Sequence, residues 1–119
     1  MVITFLMLFL ACSEDPGIDP VLKTIQAADA DITSTTAKLK GEIQILGNKN
    51  IIEYGIELSK SQLFTSPIRK SYTTPAVVGP FEVDFTGLDP NTLYYYRAYV
   101  VINTAHVYSQ ESLHFTTKN

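Results

Sequence analysis

The sequence predicts an all-β domain, a sandwich of about seven antiparallel strands, and three observations support it. Apolar residues recur with a period of two rather than 3.6 from Val21 onward. Turn-forming clusters such as Gly47-Asn48-Lys49-Asn50 and Asp89-Pro90-Asn91 interrupt that alternation at short intervals. Seven Tyr and six Phe in a chain of 119 residues suit the pleated, half-buried surface of a sheet. A chain of this length makes one domain with a core large enough to stand without staples.

The elements follow from the alternation. Ala37, Leu39, Gly41, Ile43 and Ile45 alternate with Lys38, Lys40, Glu42 and Gln44, which predicts a strand with one buried face. Ile52, Tyr54, Ile56 and Leu58 alternate with Glu53, Gly55 and Glu57 in the next strand. The segment 59–80 reads as loops around a short strand at Ile68 to Tyr72. Phe81, Val83 and Phe85 line one face of a further strand. Tyr94, Tyr96, Ala98, Val100 and Ile102 line one face of the longest, and Leu113 and Phe115 one face of the last. No stretch carries an amphipathic helical face.

The N-terminus has a different character. Val2 to Ala11 is apolar apart from Thr4, too short for a spanning helix of about 20 residues. It fits the apolar core of a secretory signal. Phe9-Leu10-Ala11-Cys12 resembles a bacterial lipobox, with Phe9 and Leu10 where the usual motif has Leu and a small residue. The resemblance implies cleavage after Ala11 and a lipid on Cys12. A start codon a few residues upstream would supply the basic segment that such signals carry before their apolar core. Residues 12–20 are acidic and rich in turn formers, and are expected to form an extended linker. Ser13-Glu14-Asp15 resembles the surface-export signal of Bacteroidetes lipoproteins. The expected division is therefore a signal at 1–11, a lipidated Cys and linker at 12–20, and a domain at 21–117, held at the bacterial outer membrane through Cys12.

Composition narrows the function classes. A formal net charge of -3 gives no electrostatic footprint for nucleic acid. The single cysteine permits neither an intrachain disulfide nor a Cys-based zinc site. Among the local residues, Leu88-Asp89-Pro90-Asn91-Thr92-Leu93-Tyr94 resembles the L-x-P-x-T-x-Y signature at the E–F corner of fibronectin type III domains. The resemblance makes Leu88, Pro90, Thr92 and Tyr94 the structural corner, with the Tyr94 hydroxyl bonding back to upstream backbone. His114-Phe115-Thr116-Thr117 resembles the closing strand of the family, and Thr35 to Leu39 its strand B opening. Vertebrate-type members bury a Trp on strand B. Here Gly41 stands at that place, so Tyr54 and Phe81 are expected to fill the indole volume.

No nucleophile elbow, phosphate loop or metal motif occurs, and neither a cofactor nor an enzymatic activity is expected. His106, expected in a turn, and His114 are roughly 26 Å apart on extended chain, too far to share a metal. Glu53 and Glu57, about 13 Å apart by strand rise, exceed glycosidase spacing and are expected on a solvated face. The candidate binding face is Tyr95, Arg97 and Tyr99, which alternate with the core residues of their strand and are expected to be exposed together. Arg flanked by Tyr is a common hot-spot composition, and cross-strand packing explains the same set. Two functions remain open at this point: a non-enzymatic surface module binding a protein, or an accessory glycan-binding lipoprotein of a polysaccharide-uptake system.

Overall fold

The computed structural model describes residues 17–103 and 105–119. The expected signal at 1–11 and Cys12 lie outside the described residues. Eight strands follow one another among the described residues: β1 (Val21–Ile25), β2 (Ala37–Ile45), β3 (Ile51–Ser59), β4 (Ile68–Tyr72), β5 (Gly79–Phe85), β6 (Leu93–Ile102), β7 (Ala105–Tyr108) and β8 (Leu113–Thr116). A single turn of 3-10 helix, Asp29–Asp31, interrupts the path from β1 to β2. No described helix is long and apolar enough to cross a membrane.

The strands form two antiparallel sheets, β1-β2-β5 and β4-β3-β6 with β7 and β8 both paired to β6. Inward-facing residues of both sheets meet in one core, where Leu39, Ile56, Leu58, Tyr96 and Val100 lose all contact with solvent. Strand alternation is the cause. Each pleat sends every second side chain inward, and the apolar set occupies those places.

Two irregularities redirect side chains that alternation alone would bury. The β1–β2 register shifts between Val21 and Leu22, whose partners are Ile45 and Ile43, and this turns Ile45 outward to 49 % exposure. A second shift between Ile51 and Glu53 leaves Ile52 exposed. A bulge adds a residue to one strand, so the side-chain phase flips beyond it.

The last strand of the sandwich is split, and His106 lies on β7 rather than in a turn. β7 pairs with Tyr99–Ile102 and β8 with Leu93–Tyr96. Between them, Thr24 of β1 reaches across. The Ala98 N–H donates to Thr24 Oγ1 at 2.9 Å, and the Ser109 N–H donates to the Ala98 carbonyl at 3.0 Å. Thr24 Oγ1 and Ser109 Oγ lie 2.6 Å apart. The backbone groups released by the break are thus satisfied, as buried polar groups must be.

Gly41 leaves the space that the missing indole would occupy. A methyl group built there would lie 2.8 Å from the Phe81 ring and 2.9 Å from Ala98 Cβ. Tyr54 packs edge-on against Phe81 with ring centroids 5.2 Å apart. Two rings from different sheets therefore close this part of the core.

Residues 17–20 depart from the expected free linker, because they are docked on the β2–β3 hairpin. The Ile18 N–H donates to Asn48 Oδ1 at 2.7 Å, and the Asn48 N–H donates to the Ile18 carbonyl at 3.0 Å. Lys49 Nζ lies 2.8 Å from Asp19 Oδ1. Gly47 sits at φ 76°, and a Cβ there would fall 2.1 Å from the Ile18 carbonyl oxygen, so the turn and the docked segment both require glycine.

Candidate functional site

The outward-facing residues of the five-stranded sheet hold its chemistry-bearing side chains. Register places Arg69, Glu57 and Arg97 in one row across β4, β3 and β6. Arg69 Nε donates to Glu57 Oε1 at 3.0 Å, and Arg97 Nε donates to Oε2 at 2.6 Å. Each oxygen of one carboxylate thus has its own guanidinium. Glu57 is fully buried, contrary to the solvated face expected for it. The cross-strand arginines neutralise it, and burial of a carboxylate is tolerated only with such partners.

Arg97 is itself enclosed. Its Cζ lies 4.1 Å from the Phe64 ring centroid on one side and 3.6 Å from that of Tyr108 on the other. Phe64 belongs to the β3–β4 loop, which folds back over the sheet with φ 58° at that residue and brings the ring to 9 % exposure. Stacking of a guanidinium between two rings favours the cation electrostatically and limits its contact with water.

The next row explains Tyr99. It stands opposite Gly55 on one side and Tyr108 on the other. Its hydroxyl donates to Glu53 Oε2 at 2.7 Å. His106 stacks on Tyr99 at 5.8 Å and on Tyr108 at 6.0 Å. Tyr99 is consequently buried, which corrects the expectation of an exposed ring. It does point to the outer side, but neighbours cover it there. Burial first, and then the bond to Glu53, pushes the Tyr99 phenol up from its ordinary value.

Tyr95 and Arg97 remain half-buried, and Tyr95 meets His114 edge-on at 5.9 Å. The three residues of the candidate binding face therefore share one side of the sheet without forming an open patch. Phe64 and Tyr108 were missed in the sequence. Phe64 acts through a loop reversal, and Tyr108 lies on a strand that the turn-like Asn103-Thr104 concealed. His106 and His114 sit on different strands. Among the described residues no three His, Cys, Asp or Glu side chains gather as a metal site.

The corner sits at the other end of β6. The Asp89 N–H donates to the Tyr94 hydroxyl at 2.9 Å. Leu88 is buried, and Thr92 Oγ1 donates to the Pro90 carbonyl at 2.9 Å. Thr117 Oγ1 accepts from the Thr92 N–H at 2.9 Å and donates to the Asp89 carbonyl at 2.6 Å, tying the chain end to the corner. Tyr96 anchors the opposite sheet: its hydroxyl donates to the Ile25 carbonyl at 2.7 Å and accepts from the Ala27 N–H at 2.9 Å. Burial raises its pKa to about 12, partly offset by the Ala27 bond.

The fold is a fibronectin type III-like β-sandwich. The chain is similar to the sensor domain of the anti-sigma factor RsgI4 of Pseudobacteroides cellulosolvens, at 15 % identity and a TM-score of 0.65, covering 83 % of this chain and 94 % of that one. It is also similar to a fourth FNIII domain from human, at 19 % identity and a TM-score of 0.60, covering 86 % of this chain and 82 % of that one. A computationally redesigned β-sandwich protein aligns at 19 % identity and a TM-score of 0.51, over 85 % of this chain and 91 % of that one. At such identities the likeness is one of fold. No protein-family model and no curated protein matches the chain.

Proposed function

We propose that this chain is a non-enzymatic surface lipoprotein, its β-sandwich serving as an interaction or structural module held at the bacterial outer membrane by a lipid on Cys12. The observation that carries the module reading is the mutual saturation of the outer face. Glu57, Arg69, Arg97, Tyr99 and Glu53 direct their polar groups at one another. A face built this way stiffens a sheet, and it leaves recognition to loops and poles, where function on such scaffolds resides. The sequence supports the tether, because Cys12 stands between an apolar run and an acidic stretch. The glycan-binding alternative draws no support from this face, since stacking on a sugar requires open aromatic rings and Tyr99 is covered.

Two measurements test the reading. In the protein expressed in a lipoprotein-processing bacterium, Cys12→Ser abolishes incorporation of radiolabelled palmitate, and continued labelling would refute the anchor. The domain from Val21 onward, used as bait on surface-labelled cells, retains a protein partner. Hydrolysis of a surface glycan or peptide by the purified domain would instead refute the non-enzymatic reading.

A further inference from the structure

The two poles of the sandwich differ. One carries the β2–β3 hairpin, the docked segment 17–20 and the loop that leads into β5. The other carries the β3–β4 loop and the Leu88–Tyr94 corner. Among the described residues, six large apolar side chains exposed by 41 % or more, Ile18, Val21, Ile45, Ile52, Val77 and Val78, belong to the first pole, against Leu63, Ile68 and Leu93 at the other. Their placement follows from register. Val21 of β1 pairs with Ile45 of β2, and Val78 ends the loop that enters β5 at Gly79, the partner of Ile43, so two neighbouring strands and the loop beside them present aliphatic side chains at this end. Ile18 lies on the hairpin through its two bonds with Asn48, and Ile52 stands at the start of β3.

The chain leaves the domain at this same pole. Only Ser13 to Pro16 separate Cys12 from Gly17, where docking on the hairpin begins. At roughly 3.3–3.6 Å per residue, such a tether spans less than about 20 Å. A lipid on Cys12 therefore holds this pole, and no other, next to the bilayer surface. Exposed aliphatic side chains there are costly in water and favourable in the interfacial region of a membrane.

We propose that the hairpin pole is a lipid-contacting surface: Ile18, Val21, Ile45, Val77 and Val78 seat the domain on the membrane that anchors Cys12, and the β3–β4 loop and the corner face outward. The clasp of Ile18 and Asp19 by Asn48 and Lys49 makes the orientation definite by leaving only residues 13–16 between the docked segment and Cys12. The outward pole carries a groove of about 470 Å³ between Leu58, Ile68, Leu88 and Tyr94, rimmed by Ser59 and Thr65, and this orientation presents it to the surroundings. The proposal rests on the lipid-anchor reading above.

The chain has no tryptophan and a single cysteine, which makes a clean test possible. The chain from Cys12 onward, containing every described residue, is coupled through Cys12 to a maleimide phospholipid in phosphatidylcholine vesicles with brominated acyl chains. Val78→Trp reports the hairpin pole. Leu63→Trp, at a site 88 % exposed on the β3–β4 loop, reports the other. The expected result is at least threefold stronger quenching of Val78→Trp, with a blue-shifted emission on coupling. Val77→Trp serves as a second reporter should Val78→Trp fold poorly. Equal quenching at the two poles would overturn the proposal. A dimer in vesicle-free solution, dissociated by Val78→Ser, would overturn it too by assigning the pole to a second copy. Chemical coupling supplies the anchor, so a failure here is separate from a failure of palmitate labelling in cells.

Discussion

The two sheets use the same alternation, yet their outer faces are unlike. On the three-stranded sheet Lys38 and Glu82 approach to 3.8 Å with side chains 42 % and 54 % exposed, and Lys40 meets Asp31 at 3.9 Å. On the five-stranded sheet Glu57 is 1 % exposed and its two arginines bond it at 3.0 and 2.6 Å. The compositions of the two faces, Lys with acids and Arg with acids, do not by themselves imply so large a difference. The cover does. The β3–β4 loop folds Phe64 back over the sheet, and β7 adds Tyr108 and His106, whereas no ring of the described residues is stacked on the charges of β1-β2-β5. Charges in water contribute little because solvent screens them, and the same charges under aromatic rings become structural.

Breaking the covered face has the largest expected effect. Glu57→Ala removes the carboxylate and leaves Arg69 and Arg97 facing each other across its place. Its cost is about 3 kcal/mol, the lower end for a broken buried pair, since both arginines keep some access to water. A urea midpoint unchanged by this substitution would show that Glu57 is not structural. Phe64→Ala strips one of the two covering rings from Arg97 while leaving the ion pairs intact, at about 2 kcal/mol from lost burial and cation–π attraction. Comparing its unfolding midpoint with that of Glu57→Ala separates the lid from the charges it protects.

The corner supplies a calibration of intermediate size. Tyr94→Phe deletes the hydroxyl that accepts from the Asp89 N–H, a loss of about 0.5–1.5 kcal/mol, while Tyr95→Phe should change stability by no more than about 0.5 kcal/mol. Equal midpoints for the Tyr94 variant and wild type would remove the corner from the list of anchors. The smallest effect is expected on the open face, where Glu82→Ala changes stability by about 0.5 kcal/mol or less.

Alkaline titration reads the same contrast through protons. Tyr96 is raised from 10.0 to about 12 by burial, and Tyr99 is raised as well. The unfolded chain therefore loses these protons first. Stability is intact below pH 10 and falls between pH 10 and 12, as the folded state retains protons that the unfolded state has released. Tyr96→Phe should flatten that decline in urea titrations at successive pH values, and an unaltered slope would place the titrating group elsewhere.

Much of this fold was legible because period-two alternation is a local property. Leu39, Ile56, Val83, Tyr96 and Val100 are buried where their strands place them, and the E–F signature locates the Tyr94 corner from local residues alone. Legibility failed where an outcome depended on distant chain. Ile45 and Ile52 were read as inward, but bulges reversed them. Residues 17–20 read as linker from composition, whereas Asn48 and Gly47 had a complementary surface for them. Tyr99 and Glu57 were assigned the correct side of the sheet and the wrong exposure, because a loop ring and a neighbouring strand cover that side.

What the sequence by itself determined was the class of fold and, away from the two bulges, the side of the strand on which a residue falls, since these follow from chain stereochemistry and the pleat. Only the tertiary structure decided which outward side chains meet water. A polar residue on an outer face is solvated or entombed according to what crosses above it. For Glu57, Arg97 and Tyr99 the crossing groups are Phe64, Tyr108 and His106, brought there by a loop reversal and a split strand that no local periodicity encodes.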